Sequence, residues 1–152
     1  MNGARWRTAV LAIALAAAAC ASTPQASPER DAEAKEFRTD PRSAAVYIYR
    51  PSLNTGSDSV LYVNQKLIGS TLPGGFFVVR LRGGVQMLNG IANDQGRLRL
   101  EVRVGELYFV RLTVRGGQSL FEPVSVETGK REVLACCVLF ENWEPGQRPL
   151  LR

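Results

Sequence analysis

The chain is 152 residues long, 45% hydrophobic and 22% charged, with a formal net charge of +5. That length is enough for one domain with a real core. Histidine is absent, which removes the commonest general base and the commonest transition-metal ligand. The arginines are spread along the chain, whereas a nucleic-acid binder would cluster Lys and Arg on one face beside stacking aromatics.

The first predicted element is a secretory signal. Arg5 and Arg7 precede an apolar run from Thr8 to Ala19, and Cys20 follows, leading into a polar stretch with Pro24 and Pro28. The run holds about twelve residues, inside the range of a signal h-region and short of the roughly 20 that cross a bilayer. The order of basic, apolar, small and Cys resembles bacterial lipoprotein signals. That resemblance implies cleavage before Cys20, with diacylglycerol on its thiol and a further acyl chain, such as palmitate, on its amine. Ala17 stands where those signals usually carry Leu. Ordinary cleavage after Ala21 is the competing reading, because Ala19-Cys20-Ala21 also satisfies the small-x-small rule. Two or three acyl chains anchor firmly where one does not. Ala21, in place of the Asp that retains such proteins at the inner membrane, implies an outer-membrane anchor with the domain in the periplasm.

Removing residues 1–19 from 152 leaves 133 and, with Arg5 and Arg7 gone, takes the charge from +5 to +3. Residues 20–43 then read as a flexible tether, with a short frayed helix around Arg30–Glu36. The 44–140 stretch changes character, to short β-rich runs broken by Gly, Pro and Asn. These are Ala45–Arg50, Val60–Val63, Leu67-Ile68, Phe76–Arg82, Val85–Ala92, Arg97–Val104, Tyr108–Val114 and Leu120–Val126. Turns are expected at Asn64-Gln65-Lys66, Pro73-Gly74-Gly75, Gly83-Gly84, Asn93-Asp94-Gln95-Gly96, Gly105 and Gly116-Gly117. Such spacing predicts an all-β fold, an antiparallel β-sandwich or barrel.

The 97–114 stretch reads as a hairpin through Gly105-Glu106-Leu107, with Val104 opposite Tyr108 and Glu101 opposite Arg111. Leu98, Leu100 and Val102 then share an inward face with Tyr108, Val110 and Leu112. Phe109 falls outward among Arg97, Arg99, Arg103 and Arg111, the candidates for a ligand-binding patch. An ordinary solvated face is the plainer reading of those arginines, and anionic glycolipid phosphates are the partner that would suit them.

Residues 128–137 fit a short helix capped by Thr128, with Val133, Leu134 and Cys137 in one stripe, or a strand. The helix is favoured. Residues 141–152 read as an irregular tail. Adjacent Cys136 and Cys137 read first as two small apolar residues, and more sharply as a vicinal redox disulfide.

Val46-Tyr47-Ile48-Tyr49-Arg50-Pro51, Leu61–Gly69, Pro73-Gly74-Gly75-Phe76-Phe77 and Gly105–Val110 together resemble a bacterial lipoprotein family, domain of unknown function 2846. Asn64–Gly69 is also similar to PEGA-type modules. The resemblance implies an immunoglobulin- or transthyretin-like sandwich on an envelope lipoprotein, and no activity. No nucleophile elbow, metal spacing or phosphate loop stands in the chain. Asp58 and Asp94 lie in loops and are the carboxylates a site could use, although loop Asp is more often simple turn chemistry. The sequence therefore reads as a non-enzymatic binding or structural module without cofactor or metal. Its partner would be an envelope protein or glycolipid, with strand addition at a sheet edge as one mode.

Overall fold

Seven consecutive buried residues, Ala44–Arg50 (β1), set the plan of the molecule. A strand buried on both faces must be covered on both. In the computed structural model, which describes residues 23–90 and 96–142, β1 is the middle of a five-stranded sheet and is covered above and below. Gly75–Leu81 (β4) pairs with it antiparallel, and Leu107–Arg115 (β7) pairs with it in parallel. Gln118–Val124 (β8) extends the sheet beyond β7, and the two-residue Val138–Leu139 (β9) extends it beyond β4. A second, four-stranded sheet runs in the order Lys66–Thr71 (β3), Ser59–Val63 (β2), Gly84–Asn89 (β5) and Arg97–Val102 (β6). The protein is thus a two-sheet β fold with a short helix near its C-terminus. Five strand pairings are antiparallel, as expected, and β1–β7 and β4–β9 are the two parallel ones.

Two cores follow from the alternation along β1. Ala44, Val46 and Ile48 point between the sheets, where they meet Leu61, Phe77, Leu88, Val102, Val110 and Leu112. Ala45, Tyr47 and Tyr49 point the other way, into a second core with Phe37, Phe76, Phe109, Val133 and Cys137. Two helices close that outer side: Pro28–Ala34 (α1) and Val126–Cys136 (α2). The second core is aromatic. Tyr47 stacks on Phe109 with centroids 4.8 Å apart, and Phe37 meets Phe109 edge-on at 5.6 Å.

The hairpin expected over 97–114 does not form. β6 pairs with β5, placing Glu101 opposite Val85, and β7 pairs with β1 and β8, placing Arg111 opposite Glu122. The inward assignment survives this change. Leu98, Leu100 and Val102 of β6 and Tyr108, Val110 and Leu112 of β7 all contact the inter-sheet core. They meet across the sandwich, where each column buries the other, and the backbone edge of β1 is satisfied by β7. Gly105, with φ of +82°, makes the corner, its N–H donating to the Ser43 carbonyl at 3.0 Å. Gly83-Gly84 is likewise a corner between sheets, not a hairpin. True two-residue hairpins occur at Asn64-Gln65 and Gly116-Gly117, where all four residues have positive φ, as the type I′ turn requires.

The outward placement of Phe109 is overturned for a related reason. It does face away from the inter-sheet core, but that side of the sheet is roofed, and Phe109 is 1% exposed. The roof includes the supposed tether. From Thr23 onward the segment is docked: the Thr23 hydroxyl donates to the Ser70 carbonyl at 3.0 Å and accepts from the Ser70 N–H at 2.8 Å. The Ala26 N–H donates to the Leu139 carbonyl at 2.9 Å, and Phe37 is buried. The short helix near Arg30 is present as α1, capped by Ser27.

At the C-terminal end the helical alternative holds over the strand. Its cap is Ser125, whose hydroxyl accepts from the Thr128 N–H at 3.2 Å, so Thr128 lies inside the first turn. Gly129 and Val133 face the core, while Leu134 is 58% exposed and off the stripe. Cys136 and Cys137 are joined as a vicinal disulfide, the sharper of the two readings, and Cys137 is buried. Glu141 is tied back by its N–H to the Pro24 carbonyl at 2.8 Å. The predicted signal 1–19, Cys20, Asp94 and the tail beyond Asn142 lie outside the described residues.

Candidate functional site

The four candidate arginines divide into two places. Arg97 and Arg99 project from the outer face of β6 and Arg103 follows its end; all three are exposed. On the neighbouring strand Met87 pairs with Arg99 and Val85 with Glu101, and both are exposed apolar residues at 40% and 48%. Arg111 belongs to the other sheet and to another task. Its guanidinium donates to Glu132 from Nε at 2.9 Å and from a terminal nitrogen at 2.7 Å, and to Glu122 at 2.9 Å. Tyr49 completes the cluster by donating its hydroxyl to Glu132 at 2.5 Å.

That cluster fastens α2 to the sheet. Glu132 comes from the helix, Tyr49 from β1, Arg111 from β7 and Glu122 from β8, so one carboxylate joins the helix to its two strands. The Arg111 hydrogen bonds hold the Glu132 carboxyl below the usual carboxylate range. Burial first, and the Glu132 hydrogen bond second, push the Tyr49 hydroxyl well above its ordinary value. The charges are mutually satisfied, which suits clamping more than ligand capture.

A second arginine, Arg50, is 1% exposed and serves the loop that follows β1. It donates to the carbonyls of Thr71 at 2.7 Å and Gly56 at 2.7 Å, and to Asn54 Oδ1 at 2.8 Å. Asn54 in turn exchanges two hydrogen bonds with the Val114 main chain, at 2.8 and 3.1 Å. Asp58 is exposed in the same loop. Among the described residues, no three His, Cys, Asp or Glu side chains come together in a way that suits a metal ion.

A groove of about 1060 Å³ opens where the docked N-terminal segment crosses the end of the sandwich. Its floor is apolar, including Tyr47, Val63, Ile68, Val78 and Phe140. Four cations line it, Arg30, Arg38, Lys66 and Arg80, against two carboxylates, Glu33 and Glu141. Arg30 pairs with Glu141, and Arg38 pairs with Glu36 at the surface. Among the described residues Lys66 and Arg80 have no ion-pair partner. Tyr47 lends its hydroxyl to the Ala34 carbonyl at 2.9 Å, and burial raises its pKa.

The chain is 31% identical over 135 residues to a protein of Haemophilus influenzae described as uncharacterized, covering 84% of this chain and 80% of that protein. The two chains belong to one family. No protein-family profile matches the chain, and no solved structure matches it significantly.

This family membership carries a fold-length relationship and no chemistry, so function has to come from the residues. The groove was invisible in the sequence because its cations sit at positions 30, 38, 66 and 80, on four different segments. Only the docking of the segment after Thr23 brings the first two beside the others. Nor did any short-range signal announce the Glu132 clamp, whose members lie 21 and 83 residues from the helix carboxylate.

Proposed function

We propose that this is a lipid-anchored protein of the bacterial cell envelope, whose β-sandwich serves as a non-enzymatic binding or structural module. The observation that carries the reading is the order of residues before Cys20: Arg5 and Arg7, the apolar run, and the small residues Ala17, Ala18 and Ala19. The similarity of the Val46–Pro51, Leu61–Gly69 and Pro73–Phe77 motifs to domain of unknown function 2846 supports it. With Ala21 after the cysteine, the anchor belongs in the outer membrane and the domain in the periplasm. Arg97, Arg99 and Arg103 beside Val85 and Met87 suit an anionic glycolipid or an acidic envelope protein.

The test is to grow cells with labelled palmitate and fractionate them, comparing the native protein with Cys20→Ser. Label in the native band, with loss of both label and membrane association in the variant, is the expected result. An unlabelled native protein, or a variant that stays in the membrane, overturns the reading. A soluble, unlabelled product beginning after Ala21 would instead make it a secreted accessory subunit.

A further inference from the structure

We infer that the basic groove is a membrane-facing surface, seated on the anionic phospholipid headgroups of the leaflet that holds the anchor. The inference rests on acylation of Cys20 and adds to it a defined orientation of the domain. Only three peptide units separate Cys20 from Thr23, a span of at most about 11 Å when fully extended. Thr23 is not free to move away, because its hydroxyl both donates to and accepts from the Ser70 main chain of β3. The next residue, Pro24, lines the groove and accepts from the Glu141 N–H at 2.8 Å. The chain therefore leaves the domain at the rim of the groove. An anchored protein of this build cannot stand off on a long leash.

The charges at this rim match what lies beneath. Its cations exceed its carboxylates by four to two, and Lys66 and Arg80, both exposed, have no ion-pair partner among the described residues. Lys66 begins β3, the strand whose Ser70 holds Thr23. The anchor's reach is comparable to the roughly 8 Å screening length at physiological salt, so it holds the Thr23 end of the groove within range of the headgroup charge. Cationic side chains this close to an anionic leaflet are attracted to it, each adding about a fivefold preference for the apposed state.

The full-length acylated protein, reconstituted in vesicles of phosphatidylethanolamine and phosphatidylglycerol, tests this with an amine-to-amine crosslinker. Mass spectrometry of one preparation reads both the acyl chains on the N-terminal peptide and any phosphatidylethanolamine adduct on Lys66. The expected result is an adduct on Lys66 that falls about fivefold in Arg80→Gln and again in Arg38→Gln. It should also fall when phosphatidylglycerol is omitted, or when a 20-residue Gly-Ser spacer is inserted between Ser22 and Thr23. Acyl chains present with no Lys66 adduct, or an adduct indifferent to spacer and charge, overturn the inference and leave the anchor intact. An N-terminal peptide without acyl chains overturns both. In intact cells, a Lys66 crosslink to protein in place of lipid would assign the groove to an acidic protein partner and overturn it equally.

Discussion

Replacing Gly129 with alanine sets two known effects against each other. Gly129 lies within α2, and alanine at an interior helix position favours the helix by about 1 kcal/mol over glycine. Against that, a Cβ at this position would lie 2.1 Å from Phe109 Cγ, 2.3 Å from its Cβ and 2.4 Å from its Cδ1. The two nearest of these atoms are at the root of the side chain, so no rotation of the ring removes the clash. The ring itself is held by the stack on Tyr47 and the edge of Phe37. Overpacking of this kind costs about 1–3 kcal/mol, and the immobility of Phe109 argues for the upper part of that range. The expected net result is a loss of about 1–2 kcal/mol, read as a lowered midpoint in urea with an unchanged m-value. The double variant Gly129→Ala, Phe109→Ala supplies the control. Phe109→Ala alone costs about 3–5 kcal/mol, and the added alanine at 129 should then cost less than it does in the native background. A Gly129→Ala protein more stable than the native one, or strict additivity in the cycle, would refute the close packing of α2 on β7.

Four further outcomes are expected. Because the folded-state pKa of Glu132 is depressed, its contribution is present above the unfolded carboxylate value and lost as pH falls through the folded one; Glu132→Gln should flatten the acid limb of stability against pH. Tyr49 has the opposite sign, its raised pKa giving stability that is lost as pH climbs above about 10, so Tyr49→Phe should reduce alkaline sensitivity in the same unfolding titration, with Tyr47 still contributing its share. Leu100→Ala should cost about 2 kcal/mol in denaturant unfolding and Arg99→Ala within about 0.5, since Leu100 packs on the inter-sheet core and Arg99 faces solvent; equal costs would sink the assignment of faces. Intact-mass measurement should show the monomer gaining two hydrogens on reduction of Cys136–Cys137, and no gain would refute the bond.

The candidate site was legible only in part. The outward direction of Arg97, Arg99 and Arg103 followed from period-two alternation, and the structure keeps all three exposed. Arg111 obeyed the same alternation yet left the group, because alternation fixes a side of the strand and says nothing of which sheet the strand joins. Glu132 then claimed its guanidinium. The signals that would have exposed the groove do not exist locally: Pro24, Pro28 and alternating charge look like a linker, and their docking depends on Phe37 finding the aromatic surface of a sheet that forms from residues far downstream.

Local pattern in the chain was enough to place the strands, the turns and the residues that face the inter-sheet core. Those properties depend on neighbours one to four positions away: alternating Leu98, Leu100 and Val102, the positive-φ pair Gly116-Gly117, the breaker Pro51. Tertiary structure alone decided that β6 and β7 part at Gly105, that β7 runs parallel beside β1, and that Phe109 and the segment from Thr23 to Phe37 are buried together. The side of β7 that carries Phe109 also carries Arg111, Thr113 and Arg115, so alternation alone reads it as solvent-facing. Whether a given side meets water depends on what the rest of the chain lays over it.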